Sequence, residues 1–146
     1  MTPSRSPLNA LSRLRPVRTL PFRAVDLAGT RASRLGERRG SDWLVYNPLT
    51  MWSYHRLGRE NAAPVMAALH RVFPDARDLL DVGAGSGAYA AAAGRHGVRV
   101  HALERSRAGR AIASLQRVDT AAFDLRDAEP GRHRAQLAYC FEVAEH

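Results

Sequence analysis

Lysine is absent: all 22 basic residues of this 146-residue chain are arginine, set against 14 acids. We attribute that bias first to GC-rich coding rather than to selection for phosphate binding. Cysteine is nearly absent too. The single Cys140 excludes an intrachain disulfide framework and a multi-cysteine metal site, and we read it as a core thiol in a reducing, cytoplasmic compartment. Long hydrophobic runs are missing as well. No stretch approaches the roughly 18 apolar residues needed to cross a bilayer, and the start of the chain has no apolar segment of a secretory signal, so no membrane partner is expected. His55, His70, His96, His101 and His133 are scattered without ligand spacing, and no metal site is assigned.

What is present suffices for one ordinary globular domain, with 45% hydrophobic and 25% charged residues. The net charge of +8 is unevenly placed. Residues 1–40 hold nine arginines against Asp26 and Glu37, while the other 106 residues are within one charge of neutral. The basic end is also rich in Ser and Pro, with apolar residues too scattered to form a stripe, so residues 1–40 read as a disordered Arg-rich leader. As a phosphate-binding arm this leader leaves a nucleic-acid partner open. An organellar targeting segment or an upstream misassigned start would look similar.

The folded part is expected over residues 41–146. From Ser41 to Arg59 aromatic and apolar residues are dense, including Trp43, Tyr46, Trp52 and Tyr54, and this segment should pack against the domain. Trp52, Tyr54 and His55 are candidates for covering a ligand, with plain packing the favoured alternative. Asn61 to Phe73 has the spacing of an amphipathic helix, with Pro64 tolerated in its first turn and Pro74 as its stop. Strands are predicted over 78–82, 98–103, 120–123 and 136–141, helices over 86–95 and 107–116, and a loop over 128–133 around Pro130-Gly131. Such alternation implies an α/β domain with a mainly parallel sheet.

The chemistry concentrates between Leu79 and Glu104. Leu79, Leu80 and Val82 suit a buried strand. Gly83, Gly85 and Gly87 then permit a tight turn in which backbone N–H groups approach a ligand closely. Glu104 falls 21 residues after Gly83, at the tip of the next strand, where a carboxylate can accept both ribose hydroxyl hydrogens. The run Gly83-Ala84-Gly85-Ser86-Gly87-Ala88 also satisfies the form used for NAD(P) or FAD, so an oxidoreductase fits it. Asp81 discriminates. Two residues before the first glycine, it would aim a negative charge at the loop, which suits a ligand ammonium better than a pyrophosphate.

At this point the chain resembles the class I S-adenosylmethionine-dependent methyltransferases, whose first motif runs Asp-x-Gly-x-Gly-x-Gly and is matched by Asp81, Gly83, Gly85 and Gly87. The resemblance extends to Glu104 after the second strand, to Asp124 after the third, and to Phe141-Glu142-Val143-Ala144-Glu145-His146 after the fourth. It implies a Rossmann-like fold and S-adenosyl-L-methionine as cofactor. Asp81 and the loop Gly83, Ala84, Gly85 and Gly87 would face the methionyl part, Glu104 the ribose, Asp124 the adenine amino group, and Leu125 the ring. Structural alternatives are a helix cap at Asp81, a pairing of Glu104 with Arg105 or Arg107, and a turn closed by Asp124 with Arg126. His146 is the weak candidate for a general base, with a structural role for it and Glu145 equally open.

The family's complete sheet has seven strands in the order 3-2-1-4-5-7-6, and this sequence reaches only the fourth. A truncated methyltransferase domain is therefore expected, its fourth strand an exposed edge that a complementing chain or a second copy could pair with. The methyl acceptor is read as a small molecule first. A catalytically inactive binding or adaptor module is the non-enzymatic alternative.

Overall fold

The computed structural model describes residues 15–126 and 134–141. Three helices come first: α1 (Arg15–Arg39), the short α2 (Asp42–Val45) and α3 (Pro48–Val72). The sheet units follow as β1 (Asp78–Val82), α4 (Ala88–Gly94), β2 (Arg99–Glu104), α5 (Arg107–Leu115), β3 (Thr120–Ala122) and β4 (Leu137–Tyr139). All strand pairings are parallel, in the order β3-β2-β1-β4. The chain thus steps outward from β1 to β3 and returns to the other side of β1. That reversal opens a crevice beyond the carboxyl ends of β1 and β4, the place where open α/β sheets bind ligands.

Register explains which face is covered. Leu79 lies opposite Val100 and Leu137, and Asp81 opposite Ala102 and Tyr139. These residues face α3 and α4, whose Ala62, Met66, Ala88, Ala92 and Ala93 form the core with Leu79, Val98 and Tyr139. Alanines on α4 let the helix approach the sheet closely. Burial along β1 alternates, so Leu79 and Asp81 are buried while Leu80 and Val82 are only half-buried, unlike the buried strand expected from Leu79, Leu80 and Val82. Cys140 corrects another expectation. It follows Tyr139 on the opposite face and is exposed, not a core thiol.

Residues 15–39 differ most from the sequence reading. In place of a disordered leader they form one helix, and the described side chains of its later part pack on α2 and α3. Small residues make this docking. A Cβ at Gly29 would lie 3.0 Å from the Thr50 amide nitrogen, and one at Gly36 would lie 2.6 Å from that of Val45. The Ser33 hydroxyl donates to the Val45 carbonyl at 2.7 Å, and Asp26 accepts from Ser53 at 2.5 Å and from Arg56 at 3.2 Å. Glycine, serine and aspartate leave no hydrophobic stripe to read. We expect Gly36→Ala to displace α1 by overpacking worth roughly 2 kcal/mol. Amide exchange would then accelerate over residues 22–39 and stay unchanged in β1 and β2; unaltered protection of α1 would contradict the docking.

α3 also begins earlier than its pattern suggests. Asn47 caps it, accepting from the amides of Leu49 and Thr50 at 3.0 and 3.1 Å, and Pro48 occupies the first turn. Pro64, expected in the first turn of a shorter helix, lies in the interior instead. The missing hydrogen bond is offset by burial of Met51, His55, Ala62 and Met66 along one side. Among the described residues no helix is long and apolar enough to cross a membrane. Residues 1–14, the loop 128–133, and Glu142, Glu145 and His146 lie outside the described residues.

Candidate functional site

The loop between β1 and α4 is shaped by glycines in the left-handed region, with φ of +76° at Gly83, +55° at Gly85 and +73° at Gly87. The amides of Gly83 and Ala84 both donate to the Leu103 carbonyl, at 2.9 and 2.8 Å, tying the loop to β2. Its far side is pressed on α5. A Cβ at Gly109 would stand 2.7 Å from the Gly85 carbonyl oxygen, and one at Gly87 would stand 3.0 Å from the Ala113 Cβ. Conformation and close approach thus both require glycine at Gly87.

Asp81 and Glu104 frame this loop. Glu104 is 8% exposed, and its two carboxylate oxygens accept from Gly85 N–H at 2.6 Å and Ser106 N–H at 2.5 Å. It therefore bonds the loop backbone rather than Arg105 or Arg107. Asp81 is 3% exposed, and its Oδ2 has no hydrogen-bond partner among the described residues. Burial pushes its carboxyl up to about 7; the nearby Tyr139 hydroxyl opposes the shift and the Glu104 charge adds to it. Tyr139 moderates that upward shift from nearby without a formed hydrogen bond, since its own buried hydroxyl is also unpaired. Burial, and then the Asp81 charge, raise the Tyr139 phenol well above its ordinary range.

Asp124 forms the turn with Arg126 that was its structural alternative. Its Oδ1 accepts from the Arg126 amide at 3.0 Å and Nε at 3.1 Å, and its Oδ2 from Arg126 Nη2 at 2.7 Å. Hydrogen bonds from Arg126 hold its carboxyl well below the usual carboxylate range. Arg105 lies 3.4 Å from the same carboxylate, and both arginines also reach Asp42 of α2, at 3.0 and 3.1 Å. Arg105 further stacks on the Tyr46 ring, 5.0 Å from its centroid. Leu125 is exposed at the rim. The structure thus brings Asp81, the glycine loop and Glu104 together, with Asp124 nearby but already engaged.

His55, a candidate ligand cover from the sequence, meets the glycine loop, and Met51 beside it is a contributor that sequence reasoning missed. His55, buried on α3, places Nδ1 3.1 Å from the Ser86 hydroxyl inside the glycine loop. Met51, one helical turn earlier, approaches Gly85 from the same side. Their spacing of four on one face of α3 was the available signal, hidden because the helix was expected to start later. Trp52 and Tyr54 are largely exposed, and the Trp52 ring lies 5.4 Å from that of His55.

A parallel sheet reversing at β1, with a glycine loop and an acid at the end of β2, defines a Rossmann-like domain of the nucleotide-handling kind. A family model described as a methyltransferase domain matches residues 52–146, from the first turns of α3 onward. The chain belongs to the class I S-adenosylmethionine-dependent methyltransferase family. Its observed strand order is the 3-2-1-4 portion of the order implied by the resemblance. No curated protein matches the chain.

Proposed function

We propose that this domain binds S-adenosyl-L-methionine beyond the ends of β1 and β2 and passes its methyl group to an acceptor nucleophile. The observation that carries this reading is Asp81. A buried carboxylate with one unpaired oxygen beside an open glycine loop suits a cationic ligand and repels a pyrophosphate, which disfavours an NAD(P) or FAD enzyme. The cofactor supplies a methyl group already activated on a sulfonium.

The chain's own residues then bind and orient. Asp81 offers its free oxygen to the ammonium of the methionyl part, and the glycine loop, lacking side chains at Gly83, Gly85 and Gly87, lets that part approach closely. Glu104 retains lone pairs for ribose hydroxyls beyond the two backbone donors it holds. Asp124 enters with its carboxylate shared by Arg126 and Arg105, so an adenine amino group would have to compete with those cations. Holding donor and acceptor in line supplies much of the rate in such a transfer. A small molecule is the acceptor we favour. A polyanion is the second reading, because α1 exposes Arg23, Arg31, Arg34 and Arg38 along one face.

Ultraviolet crosslinking of methyl-labelled S-adenosylmethionine tests the cofactor assignment. Labelling that is competed by S-adenosylhomocysteine and untouched by NAD is expected. Labelling competed by NAD and not by S-adenosylhomocysteine would overturn it.

A further inference from the structure

Two separated segments converge on Ser86, the residue between two left-handed glycines of the loop. From α3, His55 Nδ1 lies 3.1 Å from the Ser86 hydroxyl oxygen. From just beyond α5, Gln116 Nε2 donates to the Ser86 carbonyl at 2.5 Å and stands 3.4 Å from His55 Nδ1. The Ser86 carbonyl can only accept, which fixes Gln116 Nε2 as the amide's donor end. Its second hydrogen is then the one available to His55. The Gln116 contact needs a lone pair on Nδ1, and the Ser86 hydroxyl, which can donate or accept, is free to turn its hydrogen the same way. The proton of the neutral imidazole therefore belongs on Nε2.

Electrostatics keep that imidazole neutral. Burial, and then the cation of Arg59 on the same helix, lower its pKa below the ordinary value of 6.5. Ser86 from the loop, Gln116 beyond α5 and Trp52 from α3 bring no charge to it. The loop has reason to need such an anchor. Glu104 and the Ala84 carbonyl hold the amides of Gly85 and Gly87, and the Ser86 carbonyl and hydroxyl between these two left-handed glycines are left for Gln116 and His55 to fix.

We infer that His55, as its Nε2–H tautomer, is a positioning residue that clamps Ser86 between α3 and Gln116 and thereby holds the glycine loop in its ligand-accepting shape. The inference rests on the S-adenosylmethionine reading of that loop. It makes docking of α3 and cofactor affinity one linked property.

Titration of the wild type, His55→Asn, His55→Ala and Ser86→Ala with S-adenosylhomocysteine, with nitrogen NMR of the His55 ring, tests it. Loss of the hydrogen bond should weaken binding roughly five- to tenfold in His55→Ala and Ser86→Ala. His55→Asn, whose Oδ1 replaces the Nδ1 acceptor and does not titrate, should bind within about twofold of wild type. The ring spectrum should show the Nε2–H tautomer. Unchanged affinity in Ser86→Ala and His55→Ala, His55→Asn as weak as His55→Ala, or an Nδ1–H tautomer would each overturn the clamp. A wild type that does not bind S-adenosylhomocysteine sinks the cofactor reading instead. The clamp then stands on the tautomer and on faster amide exchange at Gly85 and Gly87 in Ser86→Ala, and falls if either is absent.

Discussion

Asp81→Asn is expected to weaken S-adenosylhomocysteine binding about 100-fold while making the free protein more stable above pH 7, because a charged hydrogen-bond partner is lost from a buried site. The stability gain follows from the raised pKa of Asp81, about 7 in the fold against an ordinary 3.8. Below pH 3.8 the carboxyl is protonated in both states and carries no penalty. As pH rises, the unfolded chain ionises first and is favoured, until the folded carboxyl ionises near 7. The penalty is then on the order of 4 kcal/mol and constant. Asparagine does not titrate and lacks it. The thermal midpoint of Asp81→Asn should therefore draw ahead of wild type between pH 4 and 7 and stay ahead by roughly 10 °C at pH 8. A variant less stable than wild type at pH 8 would show that Asp81 is a paired structural carboxylate.

Glu104→Ala is expected to be harmful in both respects, for a different physical reason. Glu104 is already paired, and removing it strands the amides of Gly85 and Ser106 at a buried site. Leaving two buried donors without their charged acceptor costs roughly 3–5 kcal/mol. Glu104→Gln is no conservative substitute, since its amide presents one acceptor and one donor group to two N–H groups. Both variants should unfold at lower urea concentration with unchanged slope, and Glu104→Ala should lose cofactor affinity because Gly85 is released. A loss of stability under about 1 kcal/mol in Glu104→Ala would mean that α5 and the Leu103 carbonyl hold the loop without Glu104.

The central sheet was legible because its signals are local. β1 is an apolar run ended by glycine, Glu104 stands at the tip of β2, and each expected strand and helix from 78 onward lies within two or three residues of its place. Roles that depend on distant partners were not legible. α1 docks through Gly29, Gly36 and Ser33, which carry no hydrophobic period, and so resembled a disordered leader. Asn47 starts α3 well before the amphipathic pattern becomes clear, which hid the shared face of Met51 and His55. At Asp124 both the adenine role and a turn with Arg126 were open. The turn is what formed, with Arg105 and Asp42 joining from elsewhere in the chain.

Asp81 separates a cationic cofactor from a pyrophosphate-bearing one, so its charge state offers the sharpest test of the site. Calorimetric titration of the wild type with S-adenosylhomocysteine and with NAD, at pH 6 and at pH 8, reads it directly. With the folded carboxyl near 7, ionised Asp81 rises about tenfold over that interval. Affinity for S-adenosylhomocysteine should rise by about the same factor and be flat in Asp81→Asn. Binding of NAD with S-adenosylhomocysteine inert at both pH values would contradict the account.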